Sequence, residues 1–353
     1  MSDYFKRIDK INKILLLVIL FFVVLYFGSS FLMPFFFGIL FASLMSPFSN
    51  LLERIKIPRG LSAFIATLLV FIVVGVLMFV FITQINSFAS NISMFSDELQ
   101  SLIYDIQAYI TSLTDITVED QSSYLQSRWG QLIERIEPML TSFLGSIFST
   151  LISFLIVLIY TFLMLLYRDK IYQFALMYTR EEKRESFHNT IMKINKVVFH
   201  YLWGRAKVMM ILGIVYYIVF SIFGLPYALL LTIFGSLITI IPYFGPFVSG
   251  LLPTLFSFIF FDSIQKAVIF SIIVMTIQLV ESYVLEPLII GKEVKLNPLV
   301  VIVAVIIGGM VWGIAGMILF VPMFAMFKIV AKNSSGLEPI GFLFDSTRKK
   351  KKV

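Results

Sequence analysis

Long apolar runs without charged residues dominate the chain. The runs without Asp, Glu, Lys or Arg are 14–52, 60–96, 138–167, 208–261 and 296–327. A helix needs about 20 apolar residues to cross a bilayer, so the first and fourth runs are long enough for more than one crossing. The pattern predicts an all-α, polytopic integral membrane protein with about eight transmembrane helices, some of them broken or re-entrant.

Glycine and proline divide the longer runs, because proline interrupts helices and glycine favours turns. The breaks are Gly28-Ser29-Ser30, Pro34, Gly224-Leu225-Pro226 and Pro242-Tyr243-Phe244-Gly245-Pro246. The predicted spans are 12–32, 34–50, 61–85, 144–167, 207–224, 227–241, 247–261 and 265–285. The last run, 298–330, is interrupted at Gly308-Gly309 and Gly313, which leaves a single helix and a hairpin both open.

A heptad pattern between the third and fourth predicted spans indicates two amphipathic helices. Apolar residues recur at steps of three and four from Ile85 to Leu113, and the pattern resumes from Leu125 to Ile147 after a polar turn. We predict an extracytoplasmic helical hairpin over 86–143. Its two apolar seams either pack on each other or, in part, meet neighbouring copies in a homo-oligomer.

The composition excludes several classes of protein. With 59% hydrophobic and 14% charged residues, the chain is neither a soluble enzyme nor a nucleic-acid-binding protein. It has no Cys and two His, so no cofactor or metal is expected. The motifs G-x-x-x-x-G-K-[ST], H-E-x-x-H and G-x-S-x-G are absent from the sequence, which argues against an ATP-driven motor and against an enzyme.

The distribution of the +7 net charge predicts the orientation in the bilayer. Basic residues gather at the N-terminus, in 168–207 and in the tail at 348–352, whereas 86–137 is acidic. By the positive-inside rule, both termini lie in the cytoplasm and the 86–143 hairpin lies outside. Segment 168–206 is then a cytoplasmic amphipathic segment, and the whole chain is predicted to be a single transmembrane transporter domain.

One face of the predicted span 265–285 is polar, and ionisable side chains at membrane depth point to function. Glu281 is the acid expected furthest inside the bilayer. Alternatively, it lies at the membrane interface or pairs with Lys292 or Lys295. The candidate residues of this face and its continuation are Gln278, Glu281, Ser282, Glu286 and Pro287.

Hydroxyl groups and a helix break mark the predicted span 227–241. Broken helices at membrane depth line cavities in transporters, so both features are candidates for a substrate or ion pathway. The alternatives are close helix packing for the hydroxyls and an ordinary loop for the break. The candidate residues are Thr232, Ser236, Thr239, Pro242, Tyr243, Gly245 and Pro246.

Several motifs carry a family resemblance: Gly224-Leu225-Pro226, Pro242-Tyr243-Phe244-Gly245-Pro246, Glu286-Pro287-Leu288-Ile289-Ile290-Gly291, Leu296-Asn297-Pro298, Gly308-Gly309, Trp312-Gly313-Ile314-Ala315-Gly316 and Pro322. With them, the chain resembles the autoinducer-2 exporter family of bacterial membrane proteins over nearly its whole length. The resemblance implies a permease, linked in some members to autoinducer-2 export and in others to sodium or lithium exchange for protons. Where many members have Gln after Gly204, this chain has Arg205, which would change a polar contact at the predicted cytoplasmic mouth.

Three functional hypotheses follow for a protein of the bacterial inner membrane. The first is a secondary transporter that exports a small polar solute such as autoinducer-2. The second is a Na⁺(Li⁺)/H⁺ antiporter that uses the same carboxylates. The third is an oligomeric scaffold without transport, whose hairpin binds partners. Broken helices and buried carboxylates favour the first hypothesis.

Overall fold

The computed structural model describes residues 2–113, 138, 142, 145–146, 149–290, 296–334 and 336–346. Over these ranges the chain is helical apart from turns and one isolated β-bridge between Leu296 and Asp345, which confirms the all-α class. The helices are α1 Ser2–Phe27, α2 Ser29–Arg54, α3 Arg59–Ser90, α4 Ile92–Leu113, α5 Ser149–Leu166, α6 Arg168–Met177, α7 Arg184–Ile222, α8 Ala228–Ile238, α9 Phe244–Phe260, α10 Ile264–Val280, α11 Glu286–Ile289, α12 Pro298–Lys332 and α13 Glu338–Leu343. A π-helical turn, Glu281–Leu285, joins α10 to α11.

Six helical segments in the described ranges are long and apolar enough to cross a membrane: α2, α3, α5, α7, the run from α10 to α11, and α12. The most apolar is α3. Its most hydrophobic stretch of 18 residues has a mean hydropathy of 3.2, and only 17% of that stretch is buried within the protein. Exposed apolar side chains such as Phe27 and Phe79 are unfavourable in water and suited to lipid. The chain is therefore a multi-pass membrane protein, and the count of about eight crossings stays a prediction.

The structure corrects one predicted boundary. α1 and α2 are separated at Gly28, and Pro34 lies buried inside α2, because tertiary packing supports a proline that would otherwise weaken the helix. α7 runs unbroken from Arg184 to Ile222, so the predicted cytoplasmic segment 168–206 continues into the following span without a helix break, and its place in the cytoplasm stays a prediction. Gly204 and Arg205 lie in the middle of this helix.

The described residues form two compact units, each with its own apolar core. The first unit joins α1, α2 and α12 around the buried Trp312, whose indole Nε1 donates a hydrogen bond to Leu25 O at 2.8 Å. Leu25 lies in the last turn of α1, where carbonyl groups lack helical donors. This unit comprises Met1–Phe71, Ser153–Gly204 and Ile290–Val353.

Within the first unit, α12 is not a straight helix. Trp312 (φ −133°) and Gly313 (φ 59°, ψ −141°) leave the helical region, and the chain folds back there. A Cβ atom on Gly308 would overlap the carbonyl of Gly316, although eight residues of straight helix would separate them by about 12 Å. Of the two structures that the sequence left open, α12 adopts the hairpin. We call Pro298–Lys332 the glycine hairpin.

The second unit contains another hairpin, formed by α8 and α9. The two helices run antiparallel, because a Cβ on Gly235 would lie 3.7 Å from Ser249 Cβ, and one on Gly245 would overlap the carbonyl of Ile238. We call Ala228–Phe260 the polar hairpin, since it carries the hydroxyls of Thr232, Ser236, Thr239 and Ser249. The second unit comprises Ile72–Ile152 and Arg205–Ile289.

The first seam of the heptad segment packs partly on the polar hairpin. The ring centroid of Phe95 on α4 lies 5.6 Å from that of Phe256 and 6.0 Å from that of Phe260 on α9. This part of the seam is therefore covered by α9. The distal seam residues Tyr109 and Leu113 are exposed. The turn and most of the second arm lie outside the described residues, so the hairpin insertion and the homo-oligomer both stay predictions.

Candidate functional site

Three helices of the second unit bring polar side chains together in an apolar environment. Nε2 of Gln278 on α10 donates to Tyr216 Oη on α7 (2.6 Å) and to Ser249 Oγ on α9 (2.5 Å). The two hydroxyl oxygens are 3.2 Å apart, and Tyr216 and Ser249 are completely buried. We call these three residues the amide–hydroxyl cluster. Sequence reasoning predicted Gln278 and missed its two partners.

Glycine residues on the polar hairpin make room for this cluster. A Cβ on Gly250 would lie 3.2 Å from Cγ of Gln278, and one on Gly235 would lie 3.5 Å from the ring of Tyr216. Small residues let helices approach closely inside a membrane. In the sequence, Tyr216 and Ser249 are marked only as polar residues close to small residues. That pattern does not show which helices pack against each other.

Glu281 is the most unusual side chain of the second unit. It is completely buried, and neither carboxyl oxygen has a hydrogen-bond partner. It begins the π-helical turn one helical turn after Gln278, and π-turns within helices occur often at functional sites. Arg205, Glu286 and Tyr216 all interact electrostatically with it. The alternative partners Lys292 and Lys295 lie outside the described residues.

Arg205 forms an ion pair with Glu286, between Nη2 and Oε1 at 2.8 Å. The arginine side chain is 2% exposed and the glutamate 37%, so the pair reaches from the buried site toward the surface. The sequence marked Arg205 only as a departure from the family pattern. Its position on α7, facing the π-helical turn, became evident from the tertiary structure alone.

The hydroxyl stripe on α8 has a mixed role. Thr239 Oγ1 donates to Ser236 O at 2.7 Å, and Ser236 Oγ donates to Ile233 O at 3.2 Å. These bonds stay within the helix and its end, as the packing interpretation expects. Thr232 differs, because its buried Oγ1 has no hydrogen-bond partner.

The turn of the polar hairpin is strained at Tyr243. This residue has φ 64° and ψ −51°, and the Phe244 N–H donates to Pro242 O at 2.7 Å across it. The geometry is a γ-turn of the rare, strained hand. Backbone strain of this kind persists only where the surrounding structure holds it, often at functional sites.

Two prolines of the candidate site lie at the starts of helices. Pro246 lies in the first turn of α9 and Pro287 in the first turn of α11, positions where a helix does not need the missing N–H donor. The break therefore ends at Tyr243 rather than extending to Pro246. Gly245 remains essential to it, since only glycine avoids a clash with Ile238 O.

Within the described ranges, no three His, Asp or Glu side chains lie close enough together to hold a metal ion. The polar groups of the site are amide, hydroxyl, carboxyl and guanidinium groups. Such a set can bind a polar solute, a proton or a monovalent cation without a cofactor.

Comparison with known proteins identifies the family. The profile described as "AI-2E family transporter" matches residues 15–336. The chain belongs to the AI-2E transporter family. This confirms the resemblance found in the motifs, and with the apolar helices it makes the protein a membrane transport permease.

Relatives of this AI-2E transporter are also named as transport proteins. YrrI and YueF of Bacillus subtilis, both named provisionally, are each 28% identical to it, over 84% and 86% of this chain and 84% and 85% of theirs. TqsA of Escherichia coli K12, named an AI-2 transport protein, is 21% identical over 92% of both chains.

Proposed function

We propose that this AI-2E transporter is a secondary transporter of the bacterial inner membrane, with both termini in the cytoplasm, that exports a small polar solute of the autoinducer-2 kind. One observation carries the proposal: the amide–hydroxyl cluster and Glu281 are buried together within the second unit. Polar groups at membrane depth are costly unless they bind a ligand or each other. The name of TqsA supplies the solute class.

The short first arm of the polar hairpin supports a site within the bilayer. α8 has 11 residues and so rises about 16 Å, roughly half of the hydrocarbon core of about 30 Å. An arm of this length ends near the middle of the bilayer, where transporters build substrate sites from broken helices. The proposed pathway residues are Thr232, Ser236, Thr239, Pro242, Tyr243, Gly245, Pro246, Gln278, Glu281, Glu286 and Pro287, together with Tyr216, Ser249 and Arg205.

The cluster offers hydrogen bonds that a solute can exchange. Oε1 of Gln278 and Oγ1 of Thr232 are buried without partners. A polar solute with several hydroxyl groups would satisfy such atoms, which stabilises it in an apolar environment.

The antiporter hypothesis is supported by the carboxyl group of Glu281, which has no hydrogen bond. Arg205 already places a positive charge near that carboxyl group, which disfavours a sodium or lithium ion there. Sodium and lithium pulses applied to dye-loaded proteoliposomes separate the two functions. A pH jump that depends on the cation and is lost in Glu281→Gln would favour the antiporter.

Efflux from proteoliposomes tests the exporter. Vesicles are loaded with autoinducer-2 or with other small polar solutes, and their release is followed for the wild-type protein and for Gln278→Leu. We expect release by the wild type and loss of most of it in Gln278→Leu, because the two hydroxyl groups lose their amide partner.

Thr276→Val is the matched control on the same helix. Thr276 is exposed, and its hydroxyl bonds to Ile272 O within α10, so release should equal that of the wild type. Equal release from Gln278→Leu would contradict the site. The scaffold hypothesis would instead be supported by two results together. The wild type would release no polar solute, and deletion of residues 90–140 would remove the cellular phenotype.

A further inference from the structure

The buried carboxyl group of Glu281 needs a physical explanation. A charged carboxylate at zero exposure without a hydrogen-bond donor is strongly disfavoured, and the neutral carboxyl form fits such a position much better. A glutamine or an apolar residue at this position would never carry a charge, and so would avoid the free-energy cost of burying one. The presence of glutamate at this position therefore points to a side chain that gains and loses a proton during function.

The charged surroundings supply the other half of the argument. Among the described residues, the titratable groups in electrostatic contact with Glu281 are Arg205, Glu286 and Tyr216. In this structure the buried guanidinium of Arg205 binds Glu286 at 2.8 Å. If Glu281 loses its proton, it becomes a second carboxylate near the same guanidinium, and the two compete for it.

The π-helical turn lies between the two competing carboxylates. Glu281 is its first residue, and Glu286 follows its last residue. A change between π-helical and α-helical hydrogen bonding shifts the side-chain register by about one residue, which alters which carboxylate faces Arg205. This turn can act as a two-state element, with each state defined by one ion pair.

We propose that Glu281 binds one proton in each transport cycle, and that Arg205 exchanges its partner from Glu286 to Glu281 when that proton leaves. The proton enters from the outer side and is released to the cytoplasm while the solute moves outward. This inference rests on the proposed function for the solute movement, whereas proton binding and partner exchange do not depend on it.

Infrared difference spectroscopy of the lipid-reconstituted protein tests proton binding without any solute. We expect acidification to produce the carbonyl stretch of a protonated carboxyl group in apolar surroundings, with that band lost in Glu281→Gln. Glu182→Gln, at an exposed position, should keep the band. Its persistence in Glu281→Gln, or its absence from the wild type, would overturn the proposal. So would its removal by sodium or lithium at constant pH, which would make Glu281 a metal-cation site.

The variant Glu286→Gln tests the partner exchange. It removes one carboxylate partner of Arg205, so the guanidinium can turn to Glu281 and favour its charged form. At a fixed neutral pH, the Glu281 band should lose most of its amplitude. An unchanged band would refute the exchange.

Solute flux under a pH gradient tests the coupling. With the membrane potential clamped and one proton exchanged for one neutral solute, a gradient of one pH unit should support about a tenfold solute gradient in the wild type and none in Glu281→Gln. Solute movement that ignores the pH gradient would overturn the coupling. A Glu281 band that behaves as expected, in a protein that moves no polar solute, would contradict the proposed function and leave the proton site supported.

Discussion

The two hairpins of this AI-2E transporter share a geometry and differ in chemistry. Both reverse at a turn where glycine lies against a backbone carbonyl, Gly245 against Ile238 and Gly308 against Gly316. The polar hairpin carries six Ser and Thr residues and contacts Gln278 through Ser249. Between Pro298 and Phe327, the glycine hairpin has Trp312 as its only side chain with a strong hydrogen-bonding group.

This difference separates a structural role from a functional one. The Nε1 of Trp312 is satisfied by a carbonyl at the end of α1, so it stabilises the fold. The second unit instead keeps the carboxyl oxygens of Glu281 and Oε1 of Gln278 buried without partners. A fold that only needed stability would not retain such groups, because each costs free energy.

We expect the largest effect on stability from a substitution that disrupts the glycine hairpin. In Gly308→Leu the new side chain meets the Gly316 backbone, which cannot move aside, so the free energy of unfolding should fall by about 3 kcal/mol. Gly75→Leu is the control, since no atom lies within 4 Å of its Cβ position. Thermal unfolding of both purified variants measures the difference. Equal melting temperatures would contradict the close approach.

Trp312→Phe tests the hydrogen bond from the glycine hairpin to α1. It leaves the Leu25 carbonyl without its donor, which should lower the free energy of unfolding by about 2 kcal/mol. Solute flux per folded molecule should stay unchanged. Trp203→Phe on α7 provides the comparison. A loss of flux larger than the loss of folded protein would give this hairpin a functional role as well.

Tyr216→Phe makes the matching test in the amide–hydroxyl cluster. The hydroxyl bonds both Gln278 and Ser249, so its loss should cost about 1 kcal/mol in stability and lower solute flux by about tenfold if the solute uses it. Tyr217→Phe, at the neighbouring exposed position, should change neither quantity. Identical flux for the two variants would separate the cluster from transport.

The smallest effect concerns the strained turn of the polar hairpin. Tyr243→Gly and Tyr243→Ala remove the same aromatic ring, but only glycine adopts φ 64° without strain. Unfolding measurements should therefore show the glycine variant to be more stable than the alanine variant by up to about 1 kcal/mol. An alanine variant of equal or higher stability would show that the turn is not strained.

The long apolar runs predicted the helical membrane fold because bilayer thickness fixes the length of a crossing. The same patterns misplaced one boundary. Pro34 does not end a helix, since packing against other helices outweighs local preference. The turn of the polar hairpin was predicted near its true position, because two prolines and a glycine restrict the backbone there.

The candidate site was only partly predictable. Gln278, Glu281 and Glu286 stood out because polar residues are rare in an apolar span. Tyr216, Ser249 and the pairing role of Arg205 did not, since each lies far in sequence from the group it contacts. Helical spacing identifies a shared face on one helix, but it says nothing of which face another helix presents.

The sequence by itself determined the family, the helical class, the membrane location and the positions of the rare polar groups. These follow from local properties, namely composition, run length and motif. Only the tertiary structure decided that α12 folds back on its glycines, that Arg205 binds Glu286, and that Glu281 is buried without a hydrogen bond. Those outcomes depend on close packing between distant segments, and packing is a property of the whole fold.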